Sequence, residues 1–218
     1  MERIGEYGMN YVDRNQAGRV LADSLKDYAN KPDVIVLALP RGGVPVAYEV
    51  TKKLSLPLDI FIVRKLGVPG HEEFAMGAIA SGGVVVFNEE VVKRLHIQKD
   101  AIATIQKSEQ EELSRRELVY RGKRPAPEIS KKTVILVDDG IATGYTMRAA
   151  IAALKQKKPA KIIVAVPVAP RSTCNEIAAL VDKFICPMRP SNFHAVGLWY
   201  NNFSQTTDDD VMKLLQQR

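Results

Sequence analysis

The chain has 218 residues, of which 46% are hydrophobic and 26% charged, with a formal net charge of +6. That is enough material for one substantial core, and it fits a single α/β domain with an appendage better than two full domains; no stretch runs long enough without a charge to cross a bilayer. Cys174 and Cys186 are far apart in sequence and His71, His96 and His194 are scattered, so neither a disulfide framework nor a zinc site is expected. The opening residues Met1 to Asn10 carry no apolar leader, which makes a reducing cytoplasm the expected compartment.

Taken in order, the elements alternate between strand and helix, the pattern of a parallel sheet. Asn15 is a candidate N-cap for a first helix with Ala17, Val20, Leu21 and Leu25 on one face. Val34 to Leu39 is continuously apolar, as a strand covered on both faces should be. Pro40-Arg41-Gly42-Gly43 then turns into a helix through Val46, Ala47, Val50 and Leu54, and Leu58 to Val63 reads as the next strand of a βαβ unit. Arg64 to Phe74 reads as a loop, Gly77 to Phe87 as a hairpin around Ser81-Gly82-Gly83, and Lys99 to Val119 as a long polar helix. Arg121 to Ser130 reads as an exposed loop. Thr133 to Val137 is a strand, Asp138 to Gly144 a turn and Tyr145 to Lys157 a helix. A strand at Lys161 to Val166, a helix at Arg171 to Val181, a short strand at Phe184 to Cys186 and a helix at Asp208 to Gln217 close the chain.

Charge is uneven. Between Ser114 and Lys132, Arg115, Arg116, Arg121, Lys123, Arg124, Lys131 and Lys132 face only Glu117 and Glu128. A solvated helix end and an anion-binding segment both explain such a run.

The densest chemical signal is Asp138-Asp139 at the C-terminal end of a buried strand, where open parallel sheets bind ligands. Paired carboxylates suit a ribose diol or a hydrated magnesium ion. Gly140, Ala142 and Gly144 then let backbone amides approach an anion, Thr143 and Thr146 add hydroxyls, and the helix from Tyr145 presents its positive end to a phosphate. An ordinary helix cap would need one acid, not two before Gly-x-Ala-Thr-Gly.

The run Val137 to Thr146 resembles the phosphoribosyl-pyrophosphate (PRPP) motif of type I phosphoribosyltransferases, differing mainly at Gly140, often a larger apolar residue there, and at Tyr145, often Gly. The likeness extends more weakly from Val34 to about Phe203, and is strongest to a bacterial group of uncharacterised phosphoribosyltransferases. It implies one doubly wound domain over 1–218, a mostly parallel twisted sheet with helices on both faces, with hood and flexible elements around 64–130 and 187–218. It further implies that Asp138 and Asp139 hold the ribose hydroxyls, that Gly140 and Ala142 to Thr146 wrap the 5-phosphate, and that Arg41, Gly42 and Gly43 meet the pyrophosphate. Glycines at that loop permit unusual backbone geometry, including a cis peptide. Arg64 and Lys65 fall where the family places basic residues on pyrophosphate, with Arg41 and Lys65 aiding catalysis beside the acids. Either Leu66 to Phe74 or the basic Arg115 to Arg124 segment is the expected closing loop. Magnesium is expected as cofactor, held mainly through substrate and water, with Asp138 and Asp139 as the protein's candidate ligands.

The implied reaction displaces pyrophosphate from C1 of the ribose by a nitrogenous acceptor. Ala142 stands where members acting on 6-oxopurines carry a further Asp, and Pro167 to Pro170 lacks their purine-reading Lys, so that specificity is not carried over. Phe193, His194 and Trp199 lie in the segment resembling the acceptor hood, although aromatic residues there also serve as core. The family implies a homodimer. A non-catalytic PRPP-sensing regulator that binds nucleic acid is the alternative. The absence of a helix-turn-helix, and a basic excess expected near the pyrophosphate site, weigh against nucleic acid.

Overall fold

The structure, a computed structural model, describes residues 10–217 apart from the side chains of Glu72 and Glu73. Residues 1–9, read above for the lack of a leader, lie outside the described residues.

Helix α1 spans Arg14–Asp23. Its cap is Asp13, not the expected Asn15: the extended backbone of Asp13 lets its carboxylate accept from the Gln16 amide at 2.8 Å, while Gln16 Oε1 accepts from Val12 N. Strand β1 (Val34–Ala38) is buried at every position, and helix α2 (Gly43–Leu54) follows the glycine turn. Strand β2 is only Leu58–Ile60, shorter than expected. Phe61 N still donates to Ala38 O, but Ile62 exchanges both backbone groups with Ser81, through Ser81 N and Oγ. The chain thereby passes from the parallel sheet into a second one.

That second sheet corrects the expected loop. Strands β3 (Val63–Val68), β4 (His71–Ala80) and β5 (Val84–Phe87) form an antiparallel meander, turning at Gly70 and at Ser81 to Gly83. Gly67, Pro69 and Gly70 read as loop residues, yet Leu66, Val68 and Met76 are buried in the core. Burial outweighs the turn signals, each such side chain contributing about 1.5–3 kcal/mol. Helix α3 (Glu89–Arg94), capped by Asn88, is an addition to the expected elements.

Helix α4 runs Lys99–Arg121. The expected exposed loop therefore loses its first residue, because the Arg121 side chain is buried. Its guanidinium reaches Asp59 Oδ1, Ile60 O and Glu117 Oε1, each at 3.1 Å. The basic segment from Arg115 to Arg121 is thus ordered helix, not a loop.

Strand β6 (Thr133–Val137), helix α5 (Tyr145–Gln156), strand β7 (Lys161–Ala165), helix α6 (Arg171–Ala178), strand β8 (Lys183–Ile185) and helix α7 (Asp208–Gln216) complete the chain close to expectation. The parallel sheet has the order β2-β1-β6-β7-β8. Alternate strand residues feed two cores. One packs against α1, α2, α4 and α7, the other against α5 and α6. Helices therefore cover both faces, as the fold class predicts. Cys174 and Cys186 are free and buried, and no described helix is long and apolar enough to span a membrane.

The segment before α1 meets residues 199–202 above the strand tips. Tyr11 N donates to Trp199 O and Asn201 N to Tyr11 O, and Tyr11 packs with Tyr200, Val168 and Met188.

Candidate active site

Because β6 is flanked by β1 and β7 along its whole length, its C-terminal end opens at the centre of the sheet. Asp138 and Asp139 sit there. The turn after the neighbouring strand β1 packs directly upon them: a Cβ at Gly42 would lie 2.0 Å from Asp139 Oδ2, and one at Gly43 would lie 2.8 Å from Val137 O. Glycine is needed at both positions for close approach. The Pro40–Arg41 peptide preceding them is cis.

Each acid has one oxygen held by the protein. Asp138 Oδ1 accepts from Asp139 N at 2.8 Å, and Asp139 Oδ2 accepts from Arg14 Nε at 2.8 Å. Arg14 is clamped in turn, donating to Ser204 O at 2.7 Å and stacking 3.8 Å above the Phe203 ring. Its side chain is only 12% exposed and that of Asp139 14%. Tyr200 Oη donates to Asp139 O, so the second acid is gripped from both ends of the chain.

Burial, reinforced by the neighbouring Asp139 charge, pushes the Asp138 carboxyl well above the ordinary aspartate range. Burial also raises Asp139, against the opposing pull of Arg14. Two carboxylates so close and so desolvated favour a shared proton, a cation, or hydroxyl donors between them. Burial and the Asp139 charge push the Tyr200 phenol far up, which keeps it a donor.

Beyond the acids, Ile141 is buried while Ala142, Thr143, Tyr145 and Thr146 are exposed around the mouth of α5. Gly144 has φ +78° and serves as the N-cap. The helix's first amides have no intrahelical acceptor and face outward from the turn. Thr173 Oγ1 donates to Ala142 O and Arg148 Nη2 to Thr143 O, fixing the loop's carbonyls away from those amides. Gly140 has a steric explanation: a Cβ there would meet Val196 Cγ1 at 2.5 Å. The 3-10 turn Val196–Trp199 rests on the acid loop at this glycine.

The other expected residues are dispersed. Arg41 is part-exposed, 3.8 Å from Asp208 at the start of α7. Arg64 and Lys65 lie on β3 in the second sheet, where the Arg64 guanidinium pairs with Glu109 of α4. Phe193 stacks on Trp199 at 6.3 Å between ring centroids, both packing on the terminal cluster, while His194 is exposed. Sequence reasoning missed Arg14 and Tyr200. Neither stands in the acid motif, and they lie 125 and 61 residues from Asp139.

A parallel α/β sheet with adjacent acids at a central strand tip, a glycine turn against them and an open helix N-terminus beyond defines a nucleotide- or sugar-phosphate-binding class of protein. The chain belongs to the phosphoribosyltransferases: the family described as Phosphoribosyl transferase domain matches residues 70–198. It is 42% identical, over 95% of its length, to proteins of Mycobacterium tuberculosis strains CDC 1551 and H37Rv provisionally named phosphoribosyl transferases. The match covers 46% of those proteins, so the chain spans about half the length of these curated relatives. The crystal structure of TT1426 from Thermus thermophilus is similar at 37% identity and TM-score 0.84, covering 96% of this chain and 99% of that one. AQ2163 from Aquifex aeolicus shares the fold at 12% identity, with TM-score 0.51 over 93% of this chain and 84% of its own.

Proposed function

We propose that the chain binds PRPP with magnesium and transfers its phosphoribosyl group to a nitrogenous acceptor, releasing pyrophosphate. One observation carries this reading: the side-by-side acids Asp138 and Asp139 stand between the glycine turn of β1, which packs against them, and the uncapped N-terminus of α5 that follows in the chain. A ribose spans such a gap, its hydroxyls on the acids, its 5-phosphate on Ala142 to Thr146 and its pyrophosphate toward Arg41 and Gly42. Gly43 N donates to Leu39 O, so the amides of Arg41 and Gly42 are the ones this reading assigns to pyrophosphate.

The oxygen-only donor set suits magnesium. With two acids, one of them paired to Arg14, a bound ion would take its remaining ligands from substrate and water. When bound it supplies charge neutralisation to the pyrophosphate leaving group. The chain's own residues orient the ribose and stabilise charge: the nitrogen lone pair forms the new bond at C1 as the C1–O bond breaks, and the pair leaves on pyrophosphate. Arg41 and Lys65 are assigned to the leaving group, Arg64 after release from Glu109. Phe193, His194 and Trp199 are assigned to the acceptor side.

Calorimetry with magnesium and PRPP tests the site. Binding is expected for the native chain and lost in the Asp138→Asn, Asp139→Asn double variant; equal affinity in both refutes the assignment. A screen of nucleobases and small amines for magnesium-dependent pyrophosphate release identifies the acceptor.

A further inference from the structure

The basic excess lies elsewhere than expected. On α4, Arg115 and Arg116 share the single carboxylate of Glu112, at 2.6 and 2.8 Å, and Arg121 is buried in its own ion pairs. A further concentration of lysines lies at the opposite end of the parallel sheet from Asp138 and Asp139. Lys132 leads into β6 and Lys161 begins β7 level with Thr133, while Lys183 begins β8 level with Ile163, two residues further along the sheet. Lys131, Lys157 and Lys158 join them, because Lys131 N donates to Lys158 O at 3.0 Å and Ala160 N to Lys132 O at 2.8 Å.

Among the described residues, none of these lysines forms an ion pair with a carboxylate. The nearby acids are Asp33, Glu128 and Asp182, which offset only half of the charge of the six lysines; Glu128 Oε1 accepts from Ser130 N and Asp182 Oδ2 from Ile162 N, both at 2.8 Å. Lys131 and Lys158 have φ of +60° and +52°, at the tips of touching turns where Gly or Asn fits with less strain. Charge stands there in place of the residues the backbone favours.

We propose that this edge binds nucleic acid through its phosphodiester backbone. Lysines are point charges that position a backbone without reading bases. The large apolar side chains that are exposed, Val12, Phe74, Leu95, Leu118, Tyr145 and Leu198, lie outside these lysine-bearing turns, which disfavours a lipid surface. The edge is separated from the acids by the full length of the central strands, about 16 Å, so it acts independently of the phosphoribosyl site.

The test is fluorescence anisotropy with a short labelled RNA of mixed sequence, titrated across salt. With about four to six phosphate contacts, affinity is expected to fall roughly 50- to 300-fold between about 50 and 200 mM salt. The variant Lys131→Asn, Lys132→Gln, Lys158→Asn, Lys161→Gln keeps residues that tolerate both turns, and is expected to lose at least about tenfold in affinity and ~3 in the salt slope. Its PRPP binding is expected to match the native chain, whether or not that binding is strong. The control Arg115→Gln, Arg116→Gln is expected to bind RNA as the native chain does. Native binding in the lysine variant, an equal loss in the arginine control, or attachment to phosphatidylserine vesicles without RNA binding overturns the proposal.

Discussion

Gly42→Ala isolates the contact between the two halves of the site. Gly42 has φ −61° and ψ −32°, so its backbone suits alanine, and at an unhindered position the change would stabilise the fold by about 0.4–1 kcal/mol. Here the added Cβ lies 2.0 Å from Asp139 Oδ2 and 2.6 Å from its Cγ. An ordinary contact needs over an ångström more. The carboxylate cannot swing aside freely, because Arg14 holds that oxygen at 2.8 Å and is itself clamped by Ser204 and Phe203. Overpacking of about 1–3 kcal/mol and part of a charged hydrogen bond worth ~1.5–3 kcal/mol then oppose the backbone gain. The expected net is a loss of about 2 kcal/mol, a fall of ~4–8 °C in Tm for a chain this size. PRPP affinity by calorimetry should drop roughly tenfold or more, one carboxylate being displaced. In an Asp139→Ala background the stability cost should vanish, since the obstructing group is gone. A Gly42→Ala protein that is more stable and binds normally would show that Asp139 does not lie against the glycine turn.

Arg14→Gln should weaken PRPP binding by about 1–2 kcal/mol, with Arg14→Lys restoring part of it, because charge and donor geometry both act on Asp139; calorimetry of the two variants checks this. Gly140→Val should destabilise the chain by ~1–3 kcal/mol in urea unfolding through its clash with Val196, and Val196→Ala should recover most of the loss. Arg121→Met should cost about 3 kcal/mol, since Asp59 stays buried without its guanidinium partner. The folded carboxyl of Asp138 is raised above its unfolded value, so its contribution to stability is present at pH below about 4 and is lost as pH rises through the raised value. PRPP affinity should climb over the same window as the pair ionises; an Asp138→Asn protein with an unchanged pH profile of stability would refute this.

The strand tip with its acid pair and the turn after it were legible because they are contiguous: a buried strand, two carboxylates and a glycine-threonine turn follow one another without a break from Thr133 to Thr146. The parallel sheet was legible for the same reason, its strands being uninterrupted apolar runs. The β3–β4 hairpin was not, since Gly67, Pro69 and Gly70 carry turn chemistry that only the burial of Leu66, Val68 and Met76 outweighs. Arg121 reads as solvated because a charge pattern cannot reveal that Asp59 and Ile60 O lie beneath it. Of the lysine edge, only Lys131 and Lys132 were legible, as the end of the basic run; Lys158 and Lys161 join them through turns that meet only in the fold.

Arg14 shows what a local motif omits. Asp139 is held by Arg14 from near one end of the described chain and by Tyr200 from near the other, and Tyr11 pairs backbone to backbone with the Tyr200 segment. The second acid is therefore oriented only when both ends are docked. The segments of Tyr11 and Tyr200 add a small cluster with Val168 and Met188, smaller than the two main cores, while α1 and α7 next to them are anchored in the first of those cores. Segments with few buried contacts open at lower free energy than the sheet. The Tyr200 contact to Asp139 should thus open, with the acid keeping only its bond from Arg14, under conditions that leave the sheet folded.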